Sequence, residues 1–178
     1  MPLLPTLLRD TIFAGGLGLG ADLVCQLGFE QKRPDEINCR RAASVAMFSG
    51  AYMGIVCSYV YSLYPPLAAL VMRSSRMCPT KTMKVQGVVS SVADNALHVP
   101  ALYIPAYFMT VGPLQGVSLM DSCSTLKEKW WDTTSTCWMF WMPFMAVNFT
   151  VVPASHRVRA VAAANFVWTI ALDYITHE

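Results

Sequence analysis

The sequence predicts an all-α fold, an integral membrane bundle of four to five transmembrane helices plus one interfacial amphipathic helix, in a single domain over residues 1–178. Three observations predict it. Apolar residues make up 54% of the chain and charged residues 13%, about half the charged share of a soluble domain. The apolar residues gather in long runs, and the basic residues collect in the connections between them, where interface and lipid headgroups lie. No charge falls between Asp132 and Arg157, a run longer than the roughly 20 residues needed to cross a bilayer core.

The first helix is expected over about 5–29, opened by Pro5 in its first turn. Gly16 and Gly20 stand four apart, the small-residue spacing that lets a neighbouring helix approach closely in lipid. Asp22 and Gln26, also four apart, share a face with Gly15 and Gly18 leading up to them. An ionisable group so deep in an apolar run must point into the bundle. Gly16, Gly18 and Ala21 formally satisfy a dinucleotide-binding fingerprint. That motif needs a preceding strand, and residues 1–15 show no strand alternation.

A mixed-charge connection, residues 30–41 with Pro34, leads to a second helix expected over 42–63. Ala42, Ala46, Gly50 and Gly54 repeat every four residues, the strongest helix-contact signal in the chain. Tyr59, Tyr61 and Tyr64 mark an interfacial aromatic belt, and Pro65-Pro66 is expected to end the helix. Residues 67–84 carry Arg73, Arg76, Lys81 and Lys84 with no acidic residue. The connection before the second helix is basic as well, so charge alone leaves the orientation open.

The third helix, over 85–111, places Gly87, Ser91, Asp94, Asn95 and His98 on one side. Pro100 and Pro105 break or kink it and free carbonyls that must be satisfied inside the protein. Residues 118–132 repeat Leu119, Cys123, Leu126 and Trp130 at helical spacing, with Asp121, Lys127, Glu128 and Lys129 largely elsewhere. This is the interfacial helix, anchored by Trp130-Trp131. A span over 134–153 follows, with Asn148 as its single deep amide, which in hydrocarbon needs a partner on another helix. The Asn148-Phe149-Thr150 sequon lies inside this apolar run, where glycosylation cannot occur. The last span is expected over 157–175.

Several of these residues carry a resemblance. Trp141, Asn148, Phe149, Val152, Pro153 and Arg157 fall at the spacing of the signature of the Mpv-seventeen / peroxisomal membrane protein twenty-two family. Gly20, Asp22 and Gln26 resemble its Gly-rich run ending in Asp and Gln, and Asp94, Asn95 and Pro100 a later polar pair followed by proline. Departures stand at Ile55, Val60, Met142, Met145, Thr169, Ala171 and Asp173. The resemblance implies a small multi-span protein of the mitochondrial inner membrane, or alternatively of the peroxisomal membrane, with pore-like conductance or a part in organelle metabolite supply.

Other classes fit less well. A net charge of +2 with no basic stripe interleaved with aromatics argues against nucleic acid. The six cysteines are far apart with no Cys-x-x-Cys, which points to neither a zinc site nor a disulfide framework. Asp94 and His98 stand four apart, but no nucleophile elbow or phosphate loop accompanies them, so no enzyme, cofactor or metal is expected. The N-terminus lacks a basic n-region and the C-terminus a Ser-Lys-Leu address, so targeting is expected to be internal.

Two functions remain. In the first, Asp22 and Gln26 on the first helix face Asp94, Asn95 and His98 on the third and form a polar path, with Asn148 and Arg157 as further polar contacts. In the second, the chain is a non-catalytic structural or assembly subunit of a larger mitochondrial inner-membrane complex, such as a respiratory or ATP-synthase assembly, and the same groups are interhelical glue. The partners expected are the lipid bilayer and either further copies of the chain or subunits of such a complex.

Overall fold

A computed structural model describes residues 4–72 and 79–177, with the side chains of 71–72, 79–84, 169 and 171–177 left out of account. Five long helices follow one another: α1 (Leu4–Phe29), α2 (residues 39–72), α3 (residues 79–115), α4 (Leu119–Thr150) and α5 (Arg157–His177). Short 3-10 turns at Pro34–Glu36 and Ala154–His156 sit in the connections, and no strand occurs among the described residues. Two helical stretches, Leu4–Phe29 and Cys39–Leu70, are long and apolar enough to cross a membrane. Arg73 and Arg76 lie outside the described residues, as do the side chains of Lys81, Lys84, Thr169, Ala171 and Asp173.

Each helix packs on the next, and α5 returns to pack on α1, so the five close into a ring whose thinnest seam is between α4 and α5. The α1–α2 contact is the tightest. A Cβ added to Gly54 would fall on the backbone of Thr11, and one on Gly50 would come within 3.1 Å of the Thr11 carbonyl oxygen. On α1 the close approach belongs to Gly15 and Gly18, not to Gly16 and Gly20. A Cβ on Gly15 would lie 3.2 Å from the Ala46 carbonyl oxygen, and one on Gly18 would lie 2.5 Å from Ser49 Oγ. Gly16 has open space around it, and Gly20 has room for a Cβ 3.6 Å from Phe166. The face of α1 turned to α2 therefore carries Gly15 and Gly18, and Gly20 faces Phe166 of α5 instead.

Two expected breaks are absent. α2 continues through Pro65-Pro66 to Met72, because Cys57, Tyr61, Tyr64 and Ala68 form one buried stripe at helical spacing that spans the prolines. The stretches expected as 118–132 and 134–153 are a single helix of 32 residues, Leu119–Thr150, about 48 Å long at 1.5 Å per residue. No glycine or proline lies between Gly116 and Pro143, and Thr134, Cys137, Trp141, Met145 and Asn148 continue one buried face. Ser118 opens this helix by accepting a hydrogen bond from the Asp121 N–H at 3.1 Å. Gly116 ends α3 at φ 97°, a left-handed cap that glycine adopts without penalty.

Three helices leave α geometry for a π stretch: Cys25–Phe29, Ser49–Val56 and Asp94–Tyr103. Such i→i−5 segments are rare and gather at functional sites. In α3 the cause can be traced. In the i→i−5 register Pro100 cannot donate to the Asn95 carbonyl and Pro105 cannot donate to that of Pro100. Trp138 Nε1 donates to Asn95 O at 2.8 Å, and Trp130 Nε1 donates to Pro100 O at 3.0 Å. Both indoles come from α4, so the helix packed alongside supplies the donors the prolines lack.

Candidate functional site

Side chains from all five helices line a half-open cavity of about 720 Å³. Asp22 and Cys25 enter from α1, Arg41, Phe48, Ser49 and Met53 from α2, and Tyr103, Tyr107 and Phe108 from α3. Lys129, Asp132 and Thr136 come from α4, and Asn165 and Trp168 from α5. Each π stretch places at least one residue in this wall: Cys25, then Ser49 and Met53, then Tyr103. The size falls in the range of ligand pockets, roughly 300–1,000 Å³.

One end of the wall is held by a charge network. Arg41 donates to Asp22 Oδ1 at 2.7 Å and also pairs with Glu30, which in turn pairs with Lys32. Gln26 donates to Asp22 Oδ2 at 2.6 Å and accepts from the Asn38 N–H at 2.7 Å. Asp22 and Gln26 thus pin the connection before α2 onto the end of α1. Glu30, in that connection, is pushed up by burial, but hydrogen bonds from Lys32 and Arg41 outweigh it and hold the carboxyl below the ordinary glutamate value.

A second polar cluster lies elsewhere. Asp94 Oδ1 accepts from Tyr64 Oη at 2.7 Å and is hydrogen-bonded to His98 Nδ1 at 2.7 Å, while His98 Nε2 is bonded to the Tyr52 hydroxyl at 2.9 Å. All four side chains are buried, and the Tyr52 ring stacks on His98 at 5.8 Å between centroids. This chain ties α2 to α3. Asp94 and His98 line a separate cavity of about 30 Å³, and Tyr103 and Met53 stand in the walls of both cavities.

The polar groups expected to face one another across α1 and α3 therefore divide into two sets. Asp22 and Gln26 bond Arg41 and Asn38, and Asp94 and His98 bond Tyr64 and Tyr52. Asn95 donates to the Ser91 carbonyl on its own helix at 2.9 Å. Asn148, expected to bond across helices, turns its amide nitrogen to Met145 Sδ one turn back on α4 at 3.9 Å. The Oδ1 atoms of Asn95 and Asn148 are buried without a bonded partner among the described residues. Arg157 closes the end of α4: it donates to Phe149 O at 3.0 Å and Val152 O at 3.1 Å and lies 5.2 Å from the centre of the Phe149 ring.

The spacing of the sequence did not single out Arg41, Tyr52, Tyr64 or the two indole donors. The only signal for Tyr64 was its place in an aromatic belt, and Trp130 stood out only as an anchor.

The described residues form an all-helical bundle around this cavity, with two helical stretches long and apolar enough to cross a membrane, and that defines the class. A sequence model of the Mpv17 / PMP22 family matches residues 112–173. Protein SYM1 of Kluyveromyces lactis is 28% identical over 168 residues, 94% of this chain and 81% of that protein. Protein SYM1 of Saccharomyces cerevisiae is 37% identical over 87 residues, 49% of this chain and 44% of that protein. An Mpv17-like protein of Xenopus laevis is 34% identical over 91 residues, 51% of this chain and 43% of that protein. The last two matches span less than half the length of the relative. No solved structure matches the chain. The chain is thus similar to the Mpv17 / PMP22 family over residues 112–173, and these matches support membership of that family and, with it, an organelle membrane protein.

Proposed function

We propose that this protein is a permeability component of a mitochondrial membrane, the inner one, and that solute passes through the cavity lined by the five helices. On this reading four to five of the helices span the bilayer. The observation that carries it is the cavity of about 720 Å³, with aromatic walls and with Asp22, Arg41, Lys129, Asp132, Ser49 and Thr136 on its surface. A bundle whose polar groups serve only as glue fills its centre, since protein interiors are packed to crystal density. Here the glue is the separate Tyr64–Asp94–His98–Tyr52 chain, and the large cavity lies beside it.

The test is solute efflux from liposomes holding the purified full chain, with a ladder of neutral solutes of increasing size. Phe108→Ala widens the wall, and the largest solute released is expected to move up the ladder. An unchanged size limit, with the variant folded as the parent, would count against passage through this cavity.

A further inference from the structure

Lys129 and Asp132 line the large cavity from the same side of α4, one turn apart. Neither forms an ion pair with the other or with any described group, whereas the opposite wall's Asp22 and Arg41 are bonded at 2.7 Å. Residues three apart on a helix have Cβ atoms about 5–6 Å from each other, so opposite charges at that spacing ordinarily have the reach to pair. Here they stay apart and each is available to a ligand.

The four charged side chains of the lining, Asp22, Arg41, Lys129 and Asp132, balance to zero. The cavity therefore has no net field that would gather anions or cations. What it offers is one available ammonium and one available carboxylate, next to an apolar wall that includes Tyr107, Phe108 and Trp168. A pure anion would satisfy Lys129 and be repelled by Asp132, and a pure cation the reverse. A ligand carrying both charges on a short connector satisfies both at once and leaves its apolar part to the aromatics.

We infer that the cavity binds a zwitterion, an ammonium and an acidic group on one small framework, clamped between Lys129 and Asp132. This rests on the cavity reading above and names its ligand class. The same chemistry comes from two sources, a free amino acid–like solute or a zwitterionic lipid headgroup. The α4–α5 seam, where the helices of the ring are in least contact, is the side through which a headgroup would enter.

The experiment measures binding alone, so it does not depend on any flux. Purified full-length protein in detergent is titrated calorimetrically with phenylalanine, phenylalaninamide and N-acetylphenylalanine. In parallel, native mass spectrometry scores retention of phosphatidylethanolamine against phosphatidylglycerol. The expected result is that phenylalanine binds at least tenfold tighter than both singly charged analogues, or that phosphatidylethanolamine is retained over phosphatidylglycerol. The first outcome assigns the site to a solute and the second to a lipid. Lys129→Gln and Asp132→Asn are each expected to weaken the winning ligand about tenfold, with Lys127→Gln and Glu128→Gln as controls on exposed positions outside the cavity wall. Both test residues are exposed, so loss of fold is not expected, and thermal unfolding of each variant checks it. Failure of both zwitterions to bind, singly charged analogues binding as tightly, or variants binding like the parent would each overturn the assignment. Efflux that persists alongside such a failure would leave the permeability reading standing.

Discussion

Trp138 donates its indole N–H to the carbonyl oxygen of Asn95 at 2.8 Å, the acceptor that Pro100 cannot serve in the π register. A buried carbonyl left bare costs about 1–3 kcal/mol. Trp138→Phe is therefore expected to destabilise the protein by that amount, together with a smaller loss of packing. Trp131→Phe, at a ring 59% exposed, is expected to change little. Pro100→Ala restores a backbone donor, so the double variant Pro100→Ala, Trp138→Phe should recover part of the loss. Denaturant unfolding of the parent, Trp138→Phe, Pro100→Ala and the double variant in one detergent measures the coupling.

The glycines of α1 and α2 give a second test. Gly54→Ala drives a methyl group into the Thr11 backbone, and overpacking of this kind costs about 1–3 kcal/mol or more where no side chain can yield. Gly16→Ala meets nothing and gains helix propensity, about 1 kcal/mol. Melting temperatures should fall for the first and hold or rise for the second. The opposite order would mean that α1 packs through its Gly16 face.

Acid should weaken the connection before α2. Glu30 has a folded-state value held below the ordinary 4.5, so its contribution is complete above that value and is lost as pH falls through the folded one. Glu30→Gln is expected to flatten the fall in melting temperature below pH 4.5 while lowering stability at neutral pH. A variant curve parallel to the parent's would remove Glu30 from the network.

Arg157 acts through geometry as well as charge. Its guanidinium reaches Phe149 O and Val152 O together and covers the Phe149 ring. Lysine cannot make that fork, so Arg157→Lys should cost about 1–2 kcal/mol, one hydrogen bond and part of the ring contact. Hydrogen exchange at Val151 and Val152 should quicken in that variant. Exchange that stays slow would place the cap elsewhere.

Much of this was legible in the chain and some was not, for physical reasons. Apolar runs and small-residue spacing mark the helices and the contact through Gly50 and Gly54, because period and size are local properties. The fate of Pro65-Pro66 was not local: the buried stripe through Tyr64 and Ala68 overrides the prolines, and it is visible only once α3 packs on it. The partners of Asp22 and Asp94 were assigned to each other on a shared polarity. Their actual partners, Arg41 and Tyr64, lie 19 and 30 residues away, chosen by how the helices rotate. The spacing of Pro100 and Pro105 announced freed carbonyls but not that Trp138 and Trp130 would serve them.

The claim that solute moves through the ring cavity is tested most directly at Thr136, a half-buried residue of the cavity wall. Thr136→Cys, in a chain whose native cysteines are replaced, is reconstituted in a planar bilayer. Conductance is recorded before and after a charged thiol reagent, and labelling is counted by mass. The account predicts a fall in conductance that scales with reagent size. Full labelling with unchanged conductance would contradict it.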